Sequence, residues 1–546
     1  MRQDETWCIE PDHAHHDPLR VVVAYPHTYF VGMSSLSFLT VVRLFQETGV
    51  CQVDRAFFYP GKSHPPQGHT NGKTFDLDRN IKAADLLALS VSFENDYFHV
   101  CQLLDASGLQ VRAAERRGGP YVLIGGVSPS TNPLPLVEVA DAIYLGEAEA
   151  VLEEAAAVIH EHQALLRSPG WAEGREATNE ALAQLPGFLV PAIHWKGGNE
   201  FERVEYASTA FFETSPSYSS ILSPHTAYAS MNLIEVGRGC PRYCKFCLAG
   251  FIHINTRWKT PGAIQESVER CLPHARRVGL IAAIPSQHPQ IKPVLQSLLD
   301  QGLEFSLSSQ SFSSLSDEVM ALLVQGGMET LTIGLETFDE ELQKRLGKPV
   351  PYPKLVHKLE VASDLGIKRF RAYIMIGLPG ETEASDQEII DKTIALRDLL
   401  KARVKGRFEL SLSINPFIPK PLTPWEAAPM LHEPVFEQRI RRIMKALQKE
   451  PDIQMKYESP RESWIQGVLS IGDTAVGHWL TEHYNDPSPY QAMHRAAREG
   501  ELELATLIQE PRPHRMEALL AFIDRGADPI GDKLRLQGLE QVLGAR

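Results

Sequence analysis

The stretch that decides the fold is Met231–Cys247, MNLIEVGRGCPRYCKFC. It opens as an apolar strand, MNLIEVG, and passes straight into a loop carrying Cys240, Cys244 and Cys247. Three of the chain's seven cysteines thus fall within eight residues, spaced Cys-x3-Cys-x2-Cys. A structural zinc ion takes four protein ligands, most often from paired Cys-x2-Cys knuckles. Here there is one group of three, and no second pair follows. A [4Fe–4S] cluster takes one thiolate per iron, so three thiolates leave one iron open to a ligand from outside. Gly237 and Gly239 give the backbone the freedom that wrapping a cluster demands. A zinc site closed by His253 is the alternative.

Downstream of this loop, apolar β-type runs recur: GLIAAIP, LEFSLSS, ETLTIGLET, KRFRAYIMIGLPGET and FELSLSINPFIP, with helical stretches between them. Strands alternating with helices predict a parallel sheet, here most of a (β/α) barrel over residues 231–430. Upstream, LRVVVAYP from Leu19 is a buried parallel strand by composition. DLLALSVSF (85–93), PYVLIGGVSP (120–129) and the strand, glycine turn and helix of ADAIYLGEAEAVLEEAAAVI continue the pattern. A doubly wound parallel sheet is predicted over 19–165, behind a tail at 1–18. Residues 166–230 hold PGW, PGF and KGGNE without a long period and read as a connecting segment. Residues 431–546 have helical periodicity and are expected to cover the barrel mouth and help choose the substrate. Their stretch FEQRIRRIMKALQKE sets Ile440, Ile443, Met444 and Leu447 on one face and solvated basic residues elsewhere. The predicted fold class is therefore α/β: a doubly wound parallel sheet, a partial barrel, then a mainly helical region.

The triplet, with an aromatic residue before its last cysteine, resembles the signature of the radical S-adenosylmethionine (SAM) family. The resemblance covers about residues 231–430 and implies a partial (β/α)6 barrel. It also implies a [4Fe–4S] cluster on Cys240, Cys244 and Cys247, whose open iron binds SAM and cleaves it to a 5′-deoxyadenosyl radical. By the same resemblance, Phe246 lies at the SAM site. YIMIGLPGE brings Gly377, Leu378 and Pro379 to the adenine, Glu336 of LTIGLET contacts the ribose, and Ser308 and Ser309 of SLSS end a strand at the site. Two family features are missing. IAAIPSQHP stands where Gly-Gly-Glu is usual after the second strand, and SSQS after the third lacks an arginine.

The preceding sheet resembles the cobalamin-binding domain of one radical SAM subclass. Ser90 and Ser92 end one strand, Gly125 and Gly126 end the next, and Gly146 and Glu147 open a Gly-Glu-x-Glu. Small residues at the carboxyl ends of such strands let a bulky ligand approach the backbone. Asp-x-His-x-x-Gly, which carries a lower cobalt ligand in many cobalamin proteins, is absent, and His27 of YPHTYFVGMSSL reads as a loop histidine. The stretch YPHTYFVGMSSLSF is similar to an uncharacterised group within this subclass. With SAM and cobalamin together, the resemblance implies methyl transfer to an unactivated carbon or to phosphorus. A radical cyclisation or rearrangement without methyl transfer, and a non-catalytic Fe–S or corrinoid carrier or sensor, are the alternatives.

Composition sets the frame. The 546 residues suggest several domains, and 43% hydrophobic with 22% charged residues is ordinary for globular chains. A net charge of −14 argues against nucleic acid as a partner. No apolar run reaches the length of a membrane span, and the acidic, His-rich start lacks the pattern of a signal peptide, so a cytoplasmic protein is expected. Cys8, Cys51, Cys101 and Cys271 are scattered and predict no disulfide framework, as in a reducing compartment. The expected partners are a small-molecule or peptide substrate and a reductant of flavodoxin or ferredoxin type.

Overall fold

The computed structural model describes residues 1–8, 16–61, 63, 70–308, 312, 314–382, 384–503 and 505–544. Six strands form the first sheet: β1 (Leu19–Tyr25), β2 (Cys51–Phe57), β3 (Leu86–Ser90), β4 (Tyr121–Gly125), β5 (Ala142–Tyr144) and β6 (Phe188–Leu189). Their order is β2-β1-β3-β4-β5-β6. The first five are parallel and β6 is antiparallel. Alternation along β1 feeds two cores. Leu19, Val21, Val23 and Tyr25 pack with Phe38, Leu39 and Val42 of α1 (Leu36–Glu47) and with Ala155 and Ile159 of α3 (Leu152–Leu166). Val22 and Ala24 face Phe98, Cys101 and Leu104 of α2 (Asp96–Ala106) on the other side. Helices on both faces make the sheet doubly wound.

Strand β2 was not among the strands read from sequence, because CQVDRAF carries Asp54 and Arg55 in its middle. Arg55 is 1% exposed and survives burial by pairing with Glu5 (2.7 Å) and Asp76 (2.5 Å).

Six parallel strands follow the connecting segment: β7 (Asn232–Glu235), β10 (Arg277–Ile281), β11 (Glu304–Leu307), β12 (Thr330–Glu336), β13 (Arg369–Ile376) and β14 (Glu409–Pro416), with β8 (Gly237–Arg238) and β9 (Arg257–Trp258) forming a small ribbon between the first two. They form two hydrogen-bonded groups, β7-β10-β11 and β12-β13-β14. The second group goes on past residue 430, the limit read from sequence. β15 (Ile453–Tyr457) adds a seventh strand, parallel to β14. The helix before it, Glu433–Leu447, sends Phe436, Ile440, Ile443 and Leu447 into the barrel core, so it is a barrel helix. The alternating IQMKY of β15 was illegible as a strand because it lies at the sheet edge, half in water.

The remaining helices do not simply cover the barrel mouth. Those at Pro460–Ser470, Thr474–His483 and Pro489–Glu499 share a core with the α2 face of the first sheet, through Trp464, Val468, Trp479 and Met493. Asn132 donates to the carbonyls of Ser470 (3.0 Å) and Gly472 (2.7 Å). The final helix, Pro529–Gly544, reaches the barrel opening, where Val542 packs with Leu378, Phe417 and Trp425. Cys8 and Cys271 are joined as a disulfide, their Cα atoms 5.1 Å apart. This corrects the expectation of no disulfide. The pair was invisible because 263 residues separate its members and a two-stranded pairing, Thr6–Trp7 with Ile221–Leu222, carries the N-terminal segment to the barrel.

Candidate functional site

The triplet loop lies between β8 and β9, at the carboxyl end of β7, where barrel sites are built. Its backbone turns on itself, the Cys247 N–H donating to the Cys244 carbonyl at 3.0 Å. Residues 346–348 brace it, with the Lys245 N–H donating to the Leu346 carbonyl at 2.9 Å. Burial raises all three thiol pKa values, Cys244 to about 12. A metal centre must supply the positive charge that holds them as thiolates. Among the described residues, the one set of ligand atoms lying mutually within 4.8 Å is His27, Asp96 and His99. The loop offers three thiols and no fourth ligand beside them, which suits a cluster that takes one thiolate per iron and leaves one iron open, rather than a closed structural zinc site. His253 turns to Glu147, with its Nδ1 3.3 Å from the carboxylate.

Lys348, which sequence reading missed, stands beside the triplet. Its ammonium pairs with Glu336 at 2.7 Å, and its charge acts on all three cysteines. The space is made by Gly334, where a Cβ would lie 2.6 Å from the Lys348 nitrogen. Glu336 itself sits just past a bulge with φ +63°, which turns its side chain at the strand end. Phe246, Leu378 and Met375 meet in one apolar cluster under the final helix. Gly377 donates its N–H to Glu381 at 2.6 Å, and Pro379 follows in the same turn. Ser308 has a local duty: its hydroxyl donates to the Ala282 carbonyl (3.0 Å) and accepts from the Ala282 N–H (3.2 Å). Ser309 lies outside the described residues. After β10, where Gly-Gly-Glu is missing, Gln287 approaches the loop. With its amide oxygen turned toward the guanidinium, it accepts from Arg242 at 3.0 and 3.3 Å.

A cavity of about 450 Å³ opens at the carboxyl edge of the first sheet, within the range of ligand sites. Ser90, Gly125, Gly126, Gly146 and Glu147 line it. Gly126 has φ +119°, and a Cβ there would meet the Val91 carbonyl oxygen at 2.2 Å, so no side chain fits. Ser92 is not in the lining and hydrogen-bonds Tyr25 instead. The far wall comes from the barrel: Glu235, Arg238, Ile252, His253 and Ile281. The cavity therefore joins the sheet edge to the flanks of the cysteine loop. Burial works to raise the Glu147 pKa, but the His253 hydrogen bond, the Arg238 charge and the Arg257 hydrogen bond prevail and hold it at about 2. His27 lies elsewhere, on the α2 side. Its Nδ1 accepts the Thr28 N–H at 2.8 Å, which leaves the ring proton on Nε2 and disfavours metal binding there.

Comparison with known proteins yields two family models. "Radical SAM proteins, N-terminal" matches residues 38–191, and "Radical SAM superfamily" matches 234–393. Among curated proteins, the uncharacterized protein MJ0966 of Methanocaldococcus jannaschii is 26% identical over 418 residues, covering 76% of this chain and 83% of its own. An oxygen-independent coproporphyrinogen III oxidase of Helicobacter pylori is 27% identical, over 37% of this chain and half of its own. Among solved structures, the radical SAM methyltransferase TsrM of Kitasatospora setae, with tryptophan and a SAM analog bound, matches with TM-score 0.50 at 13% identity, over 72% of each chain. The cobalamin-dependent SAM radical enzyme OxsB covers 97% of this chain and 79% of its own, with TM-score 0.46 and 12% identity.

Proposed function

The chain belongs to the radical SAM superfamily, and from that premise we propose that this enzyme is cobalamin-dependent and transfers methyl groups to an unactivated carbon or to phosphorus. The observation that carries the reading is the cavity. It is lined on one side by small residues at the carboxyl ends of a flavodoxin-like sheet, and on the other by the flanks of the three-cysteine loop. The small residues along the sheet edge of this slot would admit the narrow nucleotide tail of a corrinoid.

When bound, the cluster supplies the electron that cleaves SAM, and the corrinoid supplies the methyl group. The chain's residues do the rest. Cys240, Cys244 and Cys247 hold the cluster and leave one iron for SAM. Lys348 brings a cation beside it, and Glu336, paired to that cation at the end of β12, would contact the ribose. Phe246, Leu378 and Pro379 give the adenine an apolar wall. Ser90, Gly125, Gly126 and Gly146 leave room for the tail. The final helix, with Val542 against Leu378, excludes water from the barrel mouth.

The test is SAM bearing a deuterated methyl group, given to the anaerobically reconstituted, reduced protein. The reading expects label on the protein-bound corrinoid and 5′-deoxyadenosine on reduction. 5′-Deoxyadenosine without label on the corrinoid would favour a radical rearrangement. Neither product would favour a carrier or sensor.

A further inference from the structure

We propose that Glu147 is a positioning residue that couples the cavity to the three-cysteine loop. The proposal rests on the reading above, since the loop is taken to hold the cluster and the cavity the corrinoid tail. Glu147 was expected to touch cobalamin, and it does line the cavity. Its carboxylate, however, is spent on the barrel. One oxygen meets the Arg257 guanidinium and stands 3.3 Å from His253 Nδ1. The other accepts the Thr209 N–H at 2.9 Å and lies 3.3 Å from Arg238.

These cations flank the cluster loop on both sides. Arg238 is two residues before Cys240, and Arg257 is ten after Cys247. One buried carboxylate, 4% exposed, therefore gathers both ends of the loop and ties them to the sheet. Arg238 is fixed further by Glu149 (2.9 Å) and Glu235 (2.7 Å). The Phe212 ring lies under both guanidiniums, at 4.6 and 5.2 Å from its centroid.

Glu147, Glu149, Arg238 and His253 are also cavity walls. A ligand filling the cavity packs against the side chains that hold the loop. Order in the loop then favours ligand binding, and the ligand favours order in the loop, by reciprocal linkage. The Gly-Glu-x-Glu turn thus acts as a strut between two cofactor sites.

The experiment measures iron release from the reconstituted full chain to a chelator, anaerobically, with and without hydroxocobalamin. Carboxylates that orient metal ligands are worth roughly 10- to 100-fold in metal affinity. Glu147→Gln is expected to release iron about tenfold faster than wild type and to give a broadened spectrum of the reduced cluster by electron paramagnetic resonance. Glu147→Asp should stay close to wild type. Hydroxocobalamin should slow release in wild type and leave Glu147→Gln unchanged. Asp141→Asn breaks another buried pair, with Arg116 at 2.9 Å, just before the amino end of β5 and so at the opposite end of that strand from Glu147, and should not speed release. Wild-type release from Glu147→Gln, equal acceleration by Asp141→Asn, or equal slowing by hydroxocobalamin in wild type and Glu147→Gln would each overturn the proposal. A wild-type protein that binds no corrinoid would instead defeat the functional reading, and the ligand-free comparison would still decide on the strut.

Discussion

Glu147 keeps its charge across the whole range in which the protein is expected to fold, because its partners hold its pKa at about 2 against an ordinary 4.5. A carboxyl lowered on folding stabilises fully above its unfolded pKa, and that stability is lost as pH falls through the folded value. The shift corresponds to about 3 kcal/mol. Denaturation of wild type and Glu147→Gln by urea should therefore differ by about that much near pH 7. The gap should narrow as pH falls from about 4.5 toward 2; a constant gap would mean that the carboxylate is not paired as described. At this scale the sequence was legible where chemistry is local. Cys240, Cys244 and Cys247 announce themselves by spacing, and Gly125 and Gly126 by their strand end. Arg238, Arg257 and Lys348 did not, since each acquires its role from a residue far along the chain. Ser92 failed for a different reason: its strand ends at Ser90, and past that end the two-residue alternation no longer keeps residue 92 on the face that Ser90 turns to the cavity.

Elements with a plain apolar pattern were readable, and those whose polar residues are paired across the fold were not. β1, β3 and β4 are nearly pure hydrophobic runs between two helical layers. β2 hides its strand character behind Arg55, and β15 behind its exposed edge. The N-terminal segment is the clearest case of an element defined by its partner: Thr6–Trp7 pairs with Ile221–Leu222, and Cys8 bonds Cys271 of the helix Pro261–Cys271. Closing so long a loop lowers the entropy of the unfolded chain, a stabilisation of roughly 5.5 kcal/mol in the chain-entropy model. Non-reducing peptide mapping should recover the Cys8–Cys271 peptide from oxidised protein. Reductant should lower the denaturation midpoint of wild type and leave that of Cys8→Ser unmoved. Equal sensitivity in both would mean that the pair is not bonded.

Across the whole molecule, one chain of helices binds two sheets into a single working unit. The helices between Pro460 and Glu499 extend the core of the first sheet, the final helix closes on the barrel, and the Glu147 strut ties the sheet edge to the cluster loop. Sequence reading assigned both α/β parts correctly in kind, since each is built from successive local βα units. It could not see how the C-terminal helices divide between them, because that depends on complementary surfaces such as Gly477 against the Pro135 backbone. The central claim is that this architecture serves two cofactors at once. Its most direct test is a count of iron, sulfide, zinc and corrinoid on the full chain after anaerobic reconstitution. The account predicts about four iron, about four sulfide and about one corrinoid per chain, with iron falling to background in Cys244→Ser. A chain that binds zinc in place of iron, or a full cluster with no corrinoid, would contradict it.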